Sequence, residues 1–254
     1  LLLCLGAPLS QAQARAEPGD SAIIDAREAL RKKDRSKLFA ARASAAAQQH
    51  PLTMWADYWD LSDRLTEARQ EELNAFYARW PGTYVEDRLR NDWLLELGRR
   101  RDWANFAIEM PRFRMNDDRE VTCYSFLAEH FAGKDVRDKA LATWFEQRDA
   151  DDGCAMMAAA LYDAKRITPA DVWRKVRLAI EANKPRAARQ AAVLISVAAA
   201  SQMNEMNDSP ARYLSRKVGV TSRQDAEITA LALMRVASSD SDAAARQLNE
   251  RWDN

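Results

Sequence analysis

The stretch from Leu73 to Phe106 constrains this chain more than any other, because it repeats one apolar face on both sides of a forced turn. Leu73, Phe76, Tyr77 and Trp80 step by three, one and three residues, which places them on one side of a helix. Pro81-Gly82 interrupts that helix, and Tyr84, Val85, Leu89, Trp93, Leu94 and Leu97 then resume the spacing. Two helices joined by so short a turn lie antiparallel, so the segment predicts a helical hairpin with an aromatic seam. Gly98 is expected to stop the second helix, since glycine tolerates the left-handed conformation that ends helices. A third helix is expected to begin near Arg101.

The rest of the chain reads as more hairpins. Ile23, Ile24, Ala26 and Leu30 start a helix, and Leu38 to Gln49 form an alanine-rich one closed by His50-Pro51, because the residue before proline avoids the helical region. Trp55, Tyr58 and Trp59 mark a third apolar face, and Leu65-Thr66-Glu67-Ala68 reads as the next helix start. Further on, Val121, Tyr124, Leu127 and Phe131 precede Gly133, and Val136 to Phe145 repeat the pattern. Thr168-Pro169-Ala170-Asp171 is the clearest helix start: a capping hydroxyl, a proline that loses no hydrogen bond, and an acid at the positive end of the dipole. Ala187 to Ala200 reads as one helix, 201–219 has weak periodicity, and Ala226 to Val236 and Ala244 to Trp252 finish the chain. That makes about ten helices in hairpins of roughly 30–35 residues, the profile of an α-solenoid. Seven glycines in 254 residues, abundant alanine and no alternating β-branched run agree with an all-α fold.

Charge and motifs narrow the chemistry. Lys plus Arg equals Asp plus Glu, at 38 each, so no basic excess favours nucleic acid or an anionic membrane. No stretch approaches the ~20 apolar residues of a membrane span, so no stable membrane insertion is expected. His50 and His130 are the only histidines, and no His/Cys cluster has zinc spacing. Asp149 to Gly153 lacks the downstream glutamate of a calcium loop and reads as a solvated turn. Phosphate-loop, dinucleotide and nucleophile-elbow motifs are absent. No catalytic residue, cofactor or metal is therefore assigned. Arg99-Arg100-Arg101 beside Trp103 offers a contact for an acidic glycan or peptide, or simply an exposed helix end.

The N-terminus addresses location. The apolar run Leu1 to Leu5, followed by Ala12-Gln13-Ala14 and Ala14-Arg15-Ala16, reads as the tail of a secretory signal peptide over 1–16, ahead of a helical domain over 17–254. Cys4 follows Leu3 rather than the small residue that lipidation needs, so no lipid anchor is expected. Secretion leaves Cys123 and Cys154 in an oxidising compartment, where they allow one disulfide; in a reducing one they would be separate buried thiols. A bridge over this separation would contribute about 3–4 kcal/mol in the chain-entropy account.

One run is specific enough to suggest relatives. Phe76-Tyr77-Ala78-Arg79-Trp80-Pro81-Gly82-Thr83-Tyr84, continuing through Asp87-Arg88-Leu89-Arg90-Asn91-Asp92-Trp93-Leu94 and Leu97-Gly98 to Asp102-Trp103, resembles the N-terminal region of the soluble lytic transglycosylases of Gram-negative bacteria. Trp55 with Tyr58-Trp59, Cys123-Tyr124 with Cys154, and Leu231 to Ala237 with Ala243-Ala244-Ala245 and Trp252 extend the likeness to roughly residues 50 to 254. The resemblance implies a periplasmic protein and a ring-like superhelix of helices. It also implies a bridged cysteine pair and a parent enzyme that cleaves the β-1,4 bond from N-acetylmuramic acid to N-acetylglucosamine, leaving 1,6-anhydro ends. Peptidoglycan glycan strands are the implied partner. The family's catalytic glutamate lies in a Glu-Ser motif of a separate lysozyme-like domain, and no Glu-Ser occurs here. The expectation is therefore a piece of such an enzyme, inactive alone, that binds or positions peptidoglycan or scaffolds the catalytic domain. The alternative is a non-catalytic periplasmic solenoid that binds a protein or peptide.

Overall fold

The computed structural model describes residues 19–217 and 219–251. The expected signal peptide over 1–16, Cys4 and Trp252 lie outside them. Among the described residues there are fifteen α-helices, one 3-10 turn and no strand, so the fold is the all-α array of hairpins that the periodicity predicts. The helices exceed the expected ten because several are only two turns long. The chain divides into two compact units, one up to Asp92 and one from Trp93.

The first unit contains α1 (Asp20–Arg31), α2 (Arg35–Ala47), α3 (Thr53–Asp63), α4 (Gln70–Arg79) and the start of α5 (Tyr84–Arg100). Helices α1, α2 and α3 pack on one another around Ala22, Ala26, Ala45, Ala56 and Leu38. Small side chains let helix axes approach closely, which is why alanine dominates this seam. Ile24, read as part of the apolar face, instead stands 62% exposed. Just past α1 and α2, Lys33 and Gln49 turn the chain in the left-handed conformation (φ 54° and 51°) usually left to glycine. Helix α4 starts later than expected. The Glu72 carboxylate accepts the Arg69 N–H at 3.0 Å, and this reach-back sets the start at Gln70 rather than near Thr66. Gly82 takes φ 75° in the turn to α5, and the Arg90 guanidinium lies 4.0 Å from the centre of the Tyr77 ring. The predicted hairpin is thus joined by a cation–π contact.

The second unit holds the rest of α5, then α6 (Trp103–Glu109), the 3-10 turn Met110–Arg112, α7 (Arg119–Phe131), α8 (Arg137–Glu146) and α9 (Asp152–Asp163). It continues with α10 (Pro169–Glu181), α11 (Pro185–Ala192), α12 (Val197–Asp208), α13 (Pro210–Arg216), α14 (Arg223–Ala237) and α15 (Ser241–Arg251). Most of these helices pack on the next or next-but-one helix along the chain, as in a solenoid. The core runs through Leu127, Trp144, Met157, Trp173, Val176, Ala188 and Leu231. At the start of α10 the Thr168 hydroxyl makes the predicted cap, accepting the Asp171 N–H at 3.3 Å, and Asp171 reaches back to accept the Thr168 N–H at 2.9 Å.

Two expectations are corrected here. Gly98 does not stop α5, which continues to Arg100 and turns at Arg101 with φ 58°. A Cβ at position 98 would lie 2.4 Å from the Tyr124 ring, so this glycine lets an aromatic side chain approach the helix backbone. Ala187 to Ala200 is not one helix. The Ser196 hydroxyl accepts the Ala199 N–H at 2.9 Å and starts α12 afresh, separating it from α11.

Candidate functional site

Each unit has cavities of its own, and one between α2, α3 and α4 differs in chemistry from one at Trp103 and Phe131. In the first unit, α2 supplies Arg42, α3 supplies Asp57, Asp60 and Leu61, and α4 supplies Glu72, Ala75, Phe76 and Arg79; Arg64 follows α3. They enclose about 230 Å³. Asp57 is the hub. Its Oδ2 lies 2.8 Å from Arg79 Nη1 and accepts from the Trp80 indole at 3.0 Å, and its Oδ1 lies 3.0 Å from Arg42 Nε. Asp60 pairs with Arg42 at 2.6 Å and Arg64 at 3.4 Å, and Arg64 pairs with Glu72 at 2.5 Å. The hydrogen bond from Arg64, with the Arg69 N–H behind it, holds the Glu72 carboxyl below the usual range. Arg79 also lies 4.9 Å from the centre of the Trp80 ring.

Beside this network the aromatic residues of α3 are half-buried rather than fully enclosed. Trp55 meets Tyr58, Trp59 and Tyr84 at centroid distances of 5.9, 6.2 and 5.9 Å. The Tyr58 hydroxyl donates to Asp92 at 2.7 Å, and burial with that carboxylate pushes its pKa up to about 12.

In the second unit an apolar groove of about 490 Å³ lies between Trp103, Met110, Pro111 and Phe131. The Trp103 and Phe131 rings are 5.8 Å apart, and Glu129 pairs with Lys134 at 3.3 Å in the same lining. Behind it, α7 and α9 are joined by the Cys123–Cys154 disulfide, with Cα atoms 4.9 Å apart. Both cysteines are fully buried.

Around that bridge, charged groups are partly or wholly buried. Asp151 caps α9 by accepting the Cys154 N–H at 2.7 Å, and Glu120 accepts the Gly153 N–H at 3.1 Å. Burial pushes both carboxyls up, and for Glu120 the Asp151 charge adds to it. Lys175, 1% exposed, donates to the Trp144 and Gln147 carbonyls at 2.5 Å each. Burial draws its ammonium down to about 8.

The sequence pointed to only part of this. In the Arg99-Arg100-Arg101 run, Arg99 and Arg100 both pair with buried Glu96, and Arg100 lies 5.0 Å from the centre of the Trp93 ring. Asp151 works as a helix cap inside the acidic turn. Among the described residues, no three acids, histidines or cysteines cluster as a metal site, and no helix is long and apolar enough to cross a membrane. The first-unit cavity was missed. Its signal lay in the charged stripe Asp57, Asp60, Arg64, at steps of three and four, facing Glu72, Phe76 and Arg79 at steps of four and three. Periodicity read from apolar residues alone passes over such a stripe.

No protein-family profile matches the chain, and no curated protein does. Its fold, by contrast, is shared with solved lytic transglycosylases. It is similar to an inactive mutant of the lytic transglycosylase Slt from Pseudomonas aeruginosa, at TM-score 0.55 and 22% identity over 90% of this chain. It is also similar to the 70-kDa soluble lytic transglycosylase of Escherichia coli, at TM-score 0.61 and 18% identity over 91% of this chain. The 70-kDa soluble lytic transglycosylase in complex with bulgecin A gives the same values. At these identities the likeness is one of fold. The chain spans 38% of the length of each of these proteins.

Proposed function

We propose that this chain is the superhelical part, over 17–254, of a periplasmic lytic transglycosylase. It holds peptidoglycan glycan strands, or scaffolds the catalytic domain, for cleavage between N-acetylmuramic acid and N-acetylglucosamine with formation of 1,6-anhydro ends. The observation that carries this reading is the fold shared with two lytic transglycosylases over at least 90% of the chain. The buried disulfide fits an oxidising compartment, and a signal peptide over 1–16 would deliver the chain there. The reaction needs a desolvated carboxylic acid that first protonates the leaving oxygen and then acts as base. Glu120 and Asp151 have raised pKa values, but both are committed to α9 backbone N–H groups beside the disulfide. The catalytic acid is therefore assigned to a lysozyme-like domain outside these 254 residues.

The test is incubation of the protein with purified sacculi, followed by sedimentation and analysis of released muropeptides. Co-sedimentation without 1,6-anhydromuropeptides is expected. Failure to sediment overturns the glycan-holding role, and release by this chain alone overturns the assignment of catalysis elsewhere.

A further inference from the structure

The first-unit cavity has a composition that selects its ligand. Three guanidinium groups, from Arg42, Arg64 and Arg79, face three carboxylates, from Asp57, Asp60 and Glu72, and each is paired within the set. A free anion meets carboxylates as often as guanidinium groups, and a free cation meets the reverse, so neither gains net Coulomb energy. A ligand whose groups both donate and accept does gain, because each hydroxyl can bridge an arginine and an aspartate. Hydrogen bonds to charged partners are the stronger kind.

The network has capacity left for such a ligand. Asp57 Oδ1 is buried and, although 3.0 Å from Arg42 Nε, receives no well-aligned hydrogen bond. Buried acceptors of this kind are rare and call for a partner. Arg42 donates through Nη1 to Asp60, and Arg79 Nη1 pairs with Asp57, so both guanidinium groups retain further N–H donors. The ion pairs also hold these side chains in place, which reduces the ordering cost of binding.

Leu61, Ala75 and Phe76 supply an apolar wall to the same space. A space with polar groups on one part and an apolar wall on another matches a pyranose, with hydroxyls at its edge and C–H groups on its faces. Size limits the length. About 230 Å³ is below the roughly 300–1,000 Å³ typical of drug-sized ligand sites, so one ring fits and a chain of rings does not.

We infer that the cavity between α2, α3 and α4 is a subsite for a single uncharged sugar ring, held by its hydroxyl or acetamido groups between Asp57, Arg42 and Arg79. The chemistry assigns a neutral hexose or N-acetylhexosamine. That the ring belongs to a peptidoglycan strand rests on the proposed function. The apolar groove at Trp103 and Phe131 has its one ion pair closed on itself and lacks such a set of donors and acceptors.

The Trp80 indole reports directly on Asp57, to which it donates at 3.0 Å. The experiment is a nuclear magnetic resonance titration of the intact protein with N-acetylglucosamine, following the Trp80 indole N–H. Sodium acetate at matched ionic strength is the anionic control. The expected result is a saturable shift with the sugar and none with acetate. Asp57→Asn and Arg79→Lys, each shown by a cooperative unfolding transition to be folded at the titration temperature, are expected to bind about tenfold more weakly. Arg79→Lys keeps the charge and loses the fork, and Arg79 is 48% exposed, so the fold does not depend on it. No shift with the sugar, an equal shift with acetate, or unchanged binding in both variants overturns the inference.

Sacculus sedimentation separates this inference from the broader reading. Wild-type protein that pellets with sacculi but ignores the sugar refutes the subsite and leaves the proposed function standing. Protein that binds the sugar but does not pellet supports the subsite and refutes the glycan-strand role.

Discussion

One site in each unit handles buried charge, and the two do so in opposite ways. Around the first-unit cavity, carboxylates and guanidinium groups meet one another, and its three arginines remain 29–48% exposed. From Trp93, Lys175 is sealed at 1% exposure against backbone carbonyls, and the disulfide and large aromatic side chains close the core around it. Partly exposed ion pairs are screened by salt and exchange partners at modest cost. A sealed ammonium exchanges with nothing. The first arrangement suits a surface that admits a polar ligand, and the second suits a rigid support.

The largest expected effect is in the second unit. Trp173 is 2% exposed in the centre of the core, and Trp173→Ala should cost about 3–5 kcal/mol in urea unfolding, through lost burial and an unfilled cavity. A cost below about 1 kcal/mol would mean this core is loose and the contrast between the units is false. Next is the disulfide: Cys123→Ser with Cys154→Ser should lose about 3–4 kcal/mol, nearly independent of salt.

Asp57→Asn probes the first unit. It leaves Arg79 and Arg42 each short of a carboxylate contact, at about 1–3 kcal/mol, and the cost should shrink as salt is raised from low to molar concentration. A salt-independent cost would place this network with the sealed kind.

The last effect is a slope with pH rather than a single loss. Lys175 has its folded pKa drawn from 10.5 to about 8 by burial. Between those values the unfolded chain holds a proton that the folded chain has shed, so this group makes stability rise with pH across that window. Lys175→Met should remove that rise and leave the other groups' pH dependence in place. Parallel stability–pH curves for the two proteins between pH 8 and 10 would show that Lys175 is not desolvated as its environment indicates.

Much of the fold was legible in the sequence. The hairpin about Pro81-Gly82, the Thr168 cap and the all-α class each rest on local rules, in which a few neighbouring residues set backbone geometry. Errors came where a distant residue decided or where a local cap went unread. Gly98 looked like a helix stop, and only the Tyr124 ring packed against it shows why glycine is there. The break at Ser196 was hidden inside an alanine-rich run whose composition favours continuing the helix. Of the candidate subsite, the sequence shows Arg79-Trp80 inside a specific motif, but not the partners that α2 and α3 bring to it.

By itself the sequence determined the helices, because apolar period, caps and turn residues act over a few positions. It also restricted the possible disulfide to Cys123 and Cys154 once Cys4 is set apart with the N-terminal segment. Only the tertiary structure decided which charges are spent on one another. Asp57, Arg42 and Arg79 are up to 37 positions apart in the chain (79 − 42), and their pairing depends on three helices packing at one place. Coulomb and hydrogen-bond energies follow distance in space, and separation along the chain does not fix that distance.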